Sequence, residues 1–438
     1  MKRTVSLGLV ISLVFSLLIW GTNNAASVKI TFSRHGTETD LETENKLVKI
    51  FKSKHPDIDV EVLVLPWNDY NTKIPVMVAG GSAPDVISAH PALLFQIYAA
   101  KGLYSINSMV KTDTTINYDD IVFPGDAKFS GQIVGLPQKS CTHILRYNED
   151  LFKKAGLTTP SDLYYKGKEK AWNWDSLIEA AKKLTVDENG DGQPEQYGVS
   201  LDDNCIKFST IRSAGGDVLD KALTKCVLNS PGGKKAFQFF VDLVRKYKVA
   251  PPPELQVGQL GIQFKTGKIA IEAATSCDSV RDLRKGYELP FSWKFVVPPA
   301  GPAGFRVWGD TDQMIISITS KNKKAAYEWM KFRSSKEAWV ELYKEGMTLA
   351  FTDGPTRFSI FDIPAFKEPL KAVDVNMIKE AYKYVIPNPF LPRTPYADRI
   401  FFTIVPTELD NAMRGTKSVE QAINDAVKLI NDVLAGKA

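Results

Sequence analysis

Between Val28 and Ser33 the chain alternates, with Val28, Ile30 and Phe32 apolar and Lys29, Thr31 and Ser33 polar. A period of two predicts a strand with one buried face, and Gly36 ends it. Thr39 with Glu42 then offers a capping box, and Leu47, Val48 and Phe51 recur on one helical face before Pro56, which predicts a helix. The following "IDVEVLVLPW" alternates and then turns wholly apolar, the pattern of a buried strand. Strand, helix and strand in this order make a βαβ unit with parallel pairing.

The rhythm returns along the chain. Leu177, Ala180, Ala181 and Leu184 hold helical spacing, as do Phe237, Phe240, Val241 and Val244. "MIISIT" reads as a short strand followed by the helix "NKKAAYEWMKFRSS". The last helix carries Val419, Ala422, Ile423, Ala426, Val427 and Ile430 on one stripe, with Ser418 and Gln421 placed for a capping box. No short repeat and no low-complexity linker interrupts this α/β pattern, so two interleaved lobes joined by several crossings are expected.

Composition narrows the picture. Lys2 and Arg3 precede an apolar run from Val5 to Trp20, which reads as a signal peptide over residues 1–26. The run is short for a bilayer span, none like it follows, and no Cys stands after it for a lipid anchor. Periplasmic or secreted residence is expected, with roughly 410 residues left, more than one ordinary core. Fifty-five Lys and Arg against 50 Asp and Glu, without a dense basic run, argue against a nucleic-acid partner. Of Cys141, Cys205, Cys226 and Cys277, the pair Cys205–Cys226 spans a Gly-rich turn and is the favoured disulfide, four reduced thiols being the alternative. With four His and no zinc-type cysteine spacing, a nitrogen–sulfur metal centre is not expected.

"MVAGGSAPDVISAH" lacks the Gly-Lys-Ser/Thr ending that would hold a phosphate. It reads as a helix stop, a turn and a strand. His90, at the carboxyl end of that strand, falls where open α/β sheets bind ligands, and Asp85 offers carboxylate oxygens to hydroxyl donors.

The segments "VMVAGGSAPDVI", "SGQIVGLPQKSCTHILRYNEDLFKKAGL", "WNWDSLIEAAKKLT", "FKTGKIAIEAAT" and "ITSKNKKAAYEWMKFRSSKEAW" follow the order seen in family 1 extracellular solute-binding proteins, which this chain resembles over nearly all of its mature length. The resemblance implies a periplasmic-binding-protein-like fold, two α/β lobes with hinge crossings and a central ligand cleft. Lobe 1 would hold 27–138 plus 313–352, and lobe 2 would hold 139–312 plus 353–438. It implies a receptor that closes over a sugar, oligosaccharide or polyol and passes it to the permease subunits of an ABC importer, as a monomer and without a cofactor.

Carried over residue by residue, the resemblance points to His35 with Gly36 and Thr37, Trp67, Asp85 and His90 in the first lobe. In the second it points to Ser140 with Lys139, to Ser276, Cys277 or Asp278, and to Trp308, Asp310 and Arg357. Sugars present apolar C–H faces and hydroxyl rims, so aromatic and planar polar groups suit them. Several also have a plainer role: Trp308 and Trp67 as lobe core or interlobe contacts, Asp85 as a turn cap, and His35, His90, Asp310 and Arg357 in surface ion pairs or buried hydrogen bonds.

Asp187, Asn189 and Asp191, with Glu195 at the ninth position, resemble the first half of an EF-hand and make a candidate structural calcium loop, although Gly198 stands where the closing Glu belongs. The rival readings are a secreted carbohydrate-active enzyme and the same fold with a peptide or other non-sugar cargo. No local pattern isolates a catalytic carboxylate pair, and neither G-x-S-x-G nor H-E-x-x-H occurs.

Overall fold

The computed structural model describes residues 27–122, 127–129, 131–256, 263–276, 278–283, 288–344, 354–385 and 394–437. The signal peptide read over 1–26 and Cys277 lie outside them. In chain order the strands are β1 (Val28–His35), β2 (Ile58–Leu65), β3 (Val86–Ala89), β4 (Leu103–Tyr104), β5 (Lys128–Phe129), β6 (Gln132–Ile133), β7 (Gly135–Asn148), β8 (Tyr197–Ser200), β9 (Ile269–Thr275), β10 (Trp293–Val296) and β11 (Trp308–Ser317).

One sheet runs β2-β1-β3-β11-β7-β9-β8, with β10 beside β7 and β4 beside β11, while β5 and β6 form a separate hairpin. β1 pairs in parallel with β2 and β3, and β8 with β9, as expected of βαβ units. Joining the two parallel ends are the long strands β7 and β11, antiparallel to each other, whose register shifts between Asp312 and Gln313. The result is a mixed α/β architecture around one large sheet.

Both faces of the first parallel set are covered. Helix α1 (Glu38–Lys54) and the helix Lys323–Arg333 bury Phe32, Leu47, Phe51 and Trp329 on one side, with the Phe51 and Trp329 rings 5.3 Å apart. Helices α2 (Trp67–Ala79) and α3 (Pro91–Ala99) bury Tyr70, Ile74, Leu93, Leu94 and Ile97 on the other. Alternation along β1 divides the two: Ile30 and Phe32 face α1, while Ser33 reaches the Tyr70 hydroxyl at 3.1 Å.

Three local readings are corrected. The cap of α1 is Thr37, whose backbone N–H and hydroxyl both donate to Asp40, so the box sits two residues before Thr39 and Glu42. β2, read as a buried strand, is the sheet's edge, and its apolar run is mostly half-buried. Cys205 and Cys226 are both free thiols. Cys205 opens the ten-residue helix Asn204–Ser213, which carries the chain roughly 15 Å away before the turn that bridges Leu219 to Cys226. Cys141 is disulfide-bonded.

Candidate functional site

The first lobe delivers three rings to one edge of the sheet. His35 ends β1, Trp67 follows β2 as the first residue of α2, and His90 follows β3 as the N-cap of α3. With strand order 2-1-3, the gap between the ends of β1 and β3 is the switch point where chains leave to opposite faces and a crevice opens. The Trp67 ring stands edge-on to His35 at 4.7 Å and against His90 at 4.7 Å. Two imidazoles therefore hold the indole in place while 49% of it stays exposed.

The crossing strands form the floor. Across β7 and β11, Lys139 faces Asp312, Cys141 faces Asp310 and His143 faces Trp308. Alternation puts these six side chains on one face of the ladder. Asp312 accepts from His35 Nε2 at 3.0 Å and lies 3.4 Å from Lys139 Nζ. Burial works to raise the Asp312 carboxyl, but Lys139 and His35 override it and hold it well below the usual carboxylate range. Burial, with Asp312 adding to it, pushes the Asp310 carboxyl up, and that carboxyl accepts from Trp308 Nε1 at 3.3 Å. His90 is depressed to about 4 by burial and by the neighbouring His35 and Lys139, so it is neutral and its Nε2–H donates to Asn71 Oδ1 at 2.7 Å.

Further along the same face, His143 Nδ1 lies 3.0 Å from Asp203, the N-cap of the helix Asn204–Ser213. Burial alone would lower His143, yet the Asp203 carboxylate holds it well above its ordinary value. Cys205, beside them, is pushed up to about 11 by burial and is a neutral thiol, so the charge that keeps His143 protonated is Asp203's. The side chains of His35, Lys139, His143 and Asp203 keep 14–21% of their surface open, sheltered yet reachable.

The structure thus gathers His35, Trp67, His90, Lys139 and Asp310. It does not gather four other predicted residues. Asp85 precedes β3, at the opposite end of the strand from His90 and on the order of 16 Å away along it. Its Oδ2 accepts from the backbone N–H and hydroxyl of Thr31 and its Oδ1 from Ser320, so it staples β1 to the segment after β11. Ser140 is fully buried: its hydroxyl donates to Pro355 O at 2.5 Å, and its backbone exchanges hydrogen bonds with Gly354. A Cβ on Gly354 would stand 2.3 Å from Ser140 O, so only glycine permits the contact that covers Ser140.

Trp308 shares the floor face and bonds Asp310, but its ring is buried and closed to a ligand: it packs against Phe208 and Phe401, with the Arg212 guanidinium 5.9 Å away. Arg357 is buried and donates through Nε to Ser334 O at 2.7 Å, tying its segment to the end of the helix Lys323–Arg333. Asp278 opens a 3-10 helix, and its side chain is not among those described. In the loop 187–195 both Asp187 oxygens accept backbone N–H groups, and Asn189 donates to Asp191 and Glu195, so the loop closes on its own hydrogen bonds.

Sequence reasoning missed Asp312, His143 and Asp203. "KSCTH" did carry a signal, since Lys139, Cys141 and His143 alternate onto one face. A groove of about 1400 Å³ on the second lobe, lined by Trp174, Phe239, Lys234, Arg245 and Lys417 among others, contains none of the residues gathered here. Its indole is already stacked on Phe239 at 4.1 Å. The convergence of rings and charges on the crossing strands, not cavity size, marks the candidate site.

Comparison with known proteins agrees with this architecture. The sequence profile of the bacterial extracellular solute-binding protein family matches residues 35–338. The chain is 24% identical over 329 residues to a binding protein of Brucella abortus, covering 73% of this chain and 75% of the relative. It is 23% identical over 450 residues to the sn-glycerol-3-phosphate-binding periplasmic protein UgpB of Pectobacterium atrosepticum, covering 96% and 94%. Among solved structures it resembles an ABC substrate-binding protein of Listeria monocytogenes in complex with cycloalternan, with a TM-score of 0.75, 22% identity and coverage of 93% and 99%. It also resembles the sugar-binding protein MalE of Xanthomonas citri, with a TM-score of 0.77, 17% identity and coverage of 94% and 98%.

Proposed function

The chain belongs to the bacterial extracellular solute-binding protein family, and we propose that its cargo is a sugar, oligosaccharide or polyol, captured over the crossing strands and handed to the permease subunits of an ABC importer. The observation that carries this reading is Trp67, an indole half-exposed at a strand end, braced by His35 and His90 and set beside the Asp312–Lys139 pair. An apolar ring face next to fixed charges is complementary to a polyhydroxyl ligand, whose C–H surface stacks and whose hydroxyls bridge carboxylate and ammonium.

In this reading the lobes divide at 138/139, at 312/313, beside the register shift of β7 on β11, and at 352/353, outside the described residues. The cargo is bridged by both lobes only when they are closed, so binding shifts the population toward the closed form that an importer can read. We propose no covalent step. The protein acts outside the cytoplasm as a monomer, and calcium in the loop 187–195 would be structural only.

The test is a thermal-shift and calorimetric screen of the purified protein against monosaccharides, oligosaccharides, polyols and sn-glycerol 3-phosphate. Stabilisation that rises with ligand concentration, and that is lost in Trp67→Ala, supports the reading. Silence across the panel in a ligand-free, folded protein overturns it.

A further inference from the structure

Beyond the first-lobe rings, the floor carries a second group of side chains that sugar binding does not require. His143 on β7, Asp203 before the helix Asn204–Ser213 and Cys205 in its first turn each offer one donor atom, and these three atoms lie within 4.8 Å of one another. The local structure explains the meeting. As N-cap, Asp203 turns its carboxylate back over the helix start, where Oδ1 accepts from Ile206 N–H at 2.8 Å. Cys205 sits in the turn beneath that carboxylate, and β7 presents His143 opposite, with Nδ1 3.1 Å from Asp203 Oδ2. The shared face of the ladder adds Asp310, whose charge acts on both His143 and Cys205.

We propose that His143, Asp203 and Cys205 form a binding site for a divalent transition-metal ion of the zinc class, with Asp310 beside it on the same face of the ladder. The donor set decides the class. Imidazole nitrogen with thiolate sulfur suits zinc and its neighbours, whereas calcium and magnesium take oxygen. Zinc bonds of roughly 2.0–2.3 Å place tetrahedral donors roughly 3.3–3.8 Å apart. His143 Nδ1 and Asp203 stand 3.0–3.1 Å apart, slightly closer than that range, and the thiol lies within 4.8 Å of both, so shifts of about 1 Å or less in the donor atoms form the site.

Binding balances as one M²⁺ entering while the imidazolium and the thiol each release a proton, leaving nitrogen, carboxylate and thiolate as ligands. The count of four His gave no hint of this centre, because its members lie 60 residues apart and meet only through the strand-to-helix packing. The site stands on these residues whether or not the cargo is a sugar.

Cobalt(II) tests it. Titrated into the purified protein without reductant or chelator, Co²⁺ is expected to give a thiolate-to-cobalt charge-transfer band in the near ultraviolet that saturates at one equivalent and is abolished by Zn²⁺. The band persists in Cys226→Ser, which removes the other free thiol among the described residues, and disappears in Cys205→Ser. Asp203→Asn weakens Co²⁺ by more than the roughly 10–100-fold loss that outer-shell changes produce. Absence of the band in the wild-type protein overturns the proposal without any variant having to fold. So does a band that survives in Cys205→Ser.

Discussion

His35 Nε2 and Asp312 Oδ2 stand 3.0 Å apart across 277 residues of chain. The contact ties the last residue of β1 to β11 at the point where the β7–β11 register shifts, beside the Lys139 ammonium. A ligand seated on Trp67 is therefore in reach of groups whose positions depend on the crossing strands. The lobe closure proposed above would act through this carboxylate, because it joins a group beside the Trp67 ring to both crossing strands.

Trp67 separates affinity from stability. Because half of its surface is exposed and its ring touches mainly His35 and His90, Trp67→Ala is expected to shift unfolding free energy by about 1 kcal/mol or less. The same substitution removes the proposed stacking surface and should weaken the cargo by about tenfold or more, near 1.4 kcal/mol. Trp67→Phe should recover part of that loss. Calorimetry on the three proteins, paired with urea melts, reads both quantities, and an unchanged affinity in Trp67→Ala removes the indole from the site.

Asp85 should behave in the opposite way. Its carboxylate accepts three hydrogen bonds, from Thr31 N–H, Thr31 Oγ1 and Ser320 Oγ, at the far end of β3 from the rings. Asp85→Ala leaves those donors to find water, and should cost about 1–3 kcal/mol of stability while cargo affinity stays within about twofold. Denaturant unfolding measures the first, and titration of the folded variant the second. A large loss of affinity in a protein of wild-type stability would return Asp85 to the cleft.

The contrast between these two residues shows what was legible in the sequence. Alternation in "VKITFS" and the helical stripe through Leu47 and Phe51 specify β1 and α1, because burial of one face is a local, periodic demand. Strand ends were legible too, and with them His35, Trp67 and His90. Asp85 was misplaced because a parallel strand has a functional end and a structural end, and Asp85 precedes the strand that His90 follows. Trp308 was misread because chemistry suited to a sugar is equally suited to a core, and only the packing of Phe208 and Phe401 decides between them. The pairing of His143 with Asp203 had no local signature, since it depends on how β7 lies against the start of a helix 60 residues on.

Glu44 carries the first lobe's buried charge. Its carboxylate is fully enclosed and bonded to Arg333 and Arg34, themselves buried. Glu44→Gln leaves two guanidinium groups without that counter-charge and should cost about 3–5 kcal/mol. Burial acts to raise the Glu44 carboxyl, but Arg333 and Arg34 bring it below its ordinary value. A depressed carboxylate stabilises the fold above its unfolded range and loses that contribution as pH falls through the folded value. Acid unfolding traced by circular dichroism should thus show a wild-type transition below about pH 4 that Glu44→Gln flattens. Parallel acid curves for the two proteins would contradict the assignment.

His90 predicts a pH effect at milder acidity. Its folded value is about 4, set first by burial and then by His35 and Lys139, with Asp312 opposing them, against roughly 6.5 for an unperturbed imidazole. The folded state therefore favours the neutral ring, and the resulting stability is complete above about pH 6.5 and fades as pH falls toward 4. The difference corresponds to a loss on the order of 3 kcal/mol across that window. His90→Gln keeps a donor for Asn71 Oδ1 and removes the titration. Urea unfolding at pH 7 and pH 4.5 should show the wild type losing more stability than the variant, and losses of equal size would mean that His90 is not the group responsible. In the folded protein the ring stays neutral until pH nears 4, so cargo affinity should hold level from about pH 6.5 to about pH 5 and fall only as pH approaches 4, where protonation places a cation against the Trp67 ring and beside His35. His90→Gln should remove that fall.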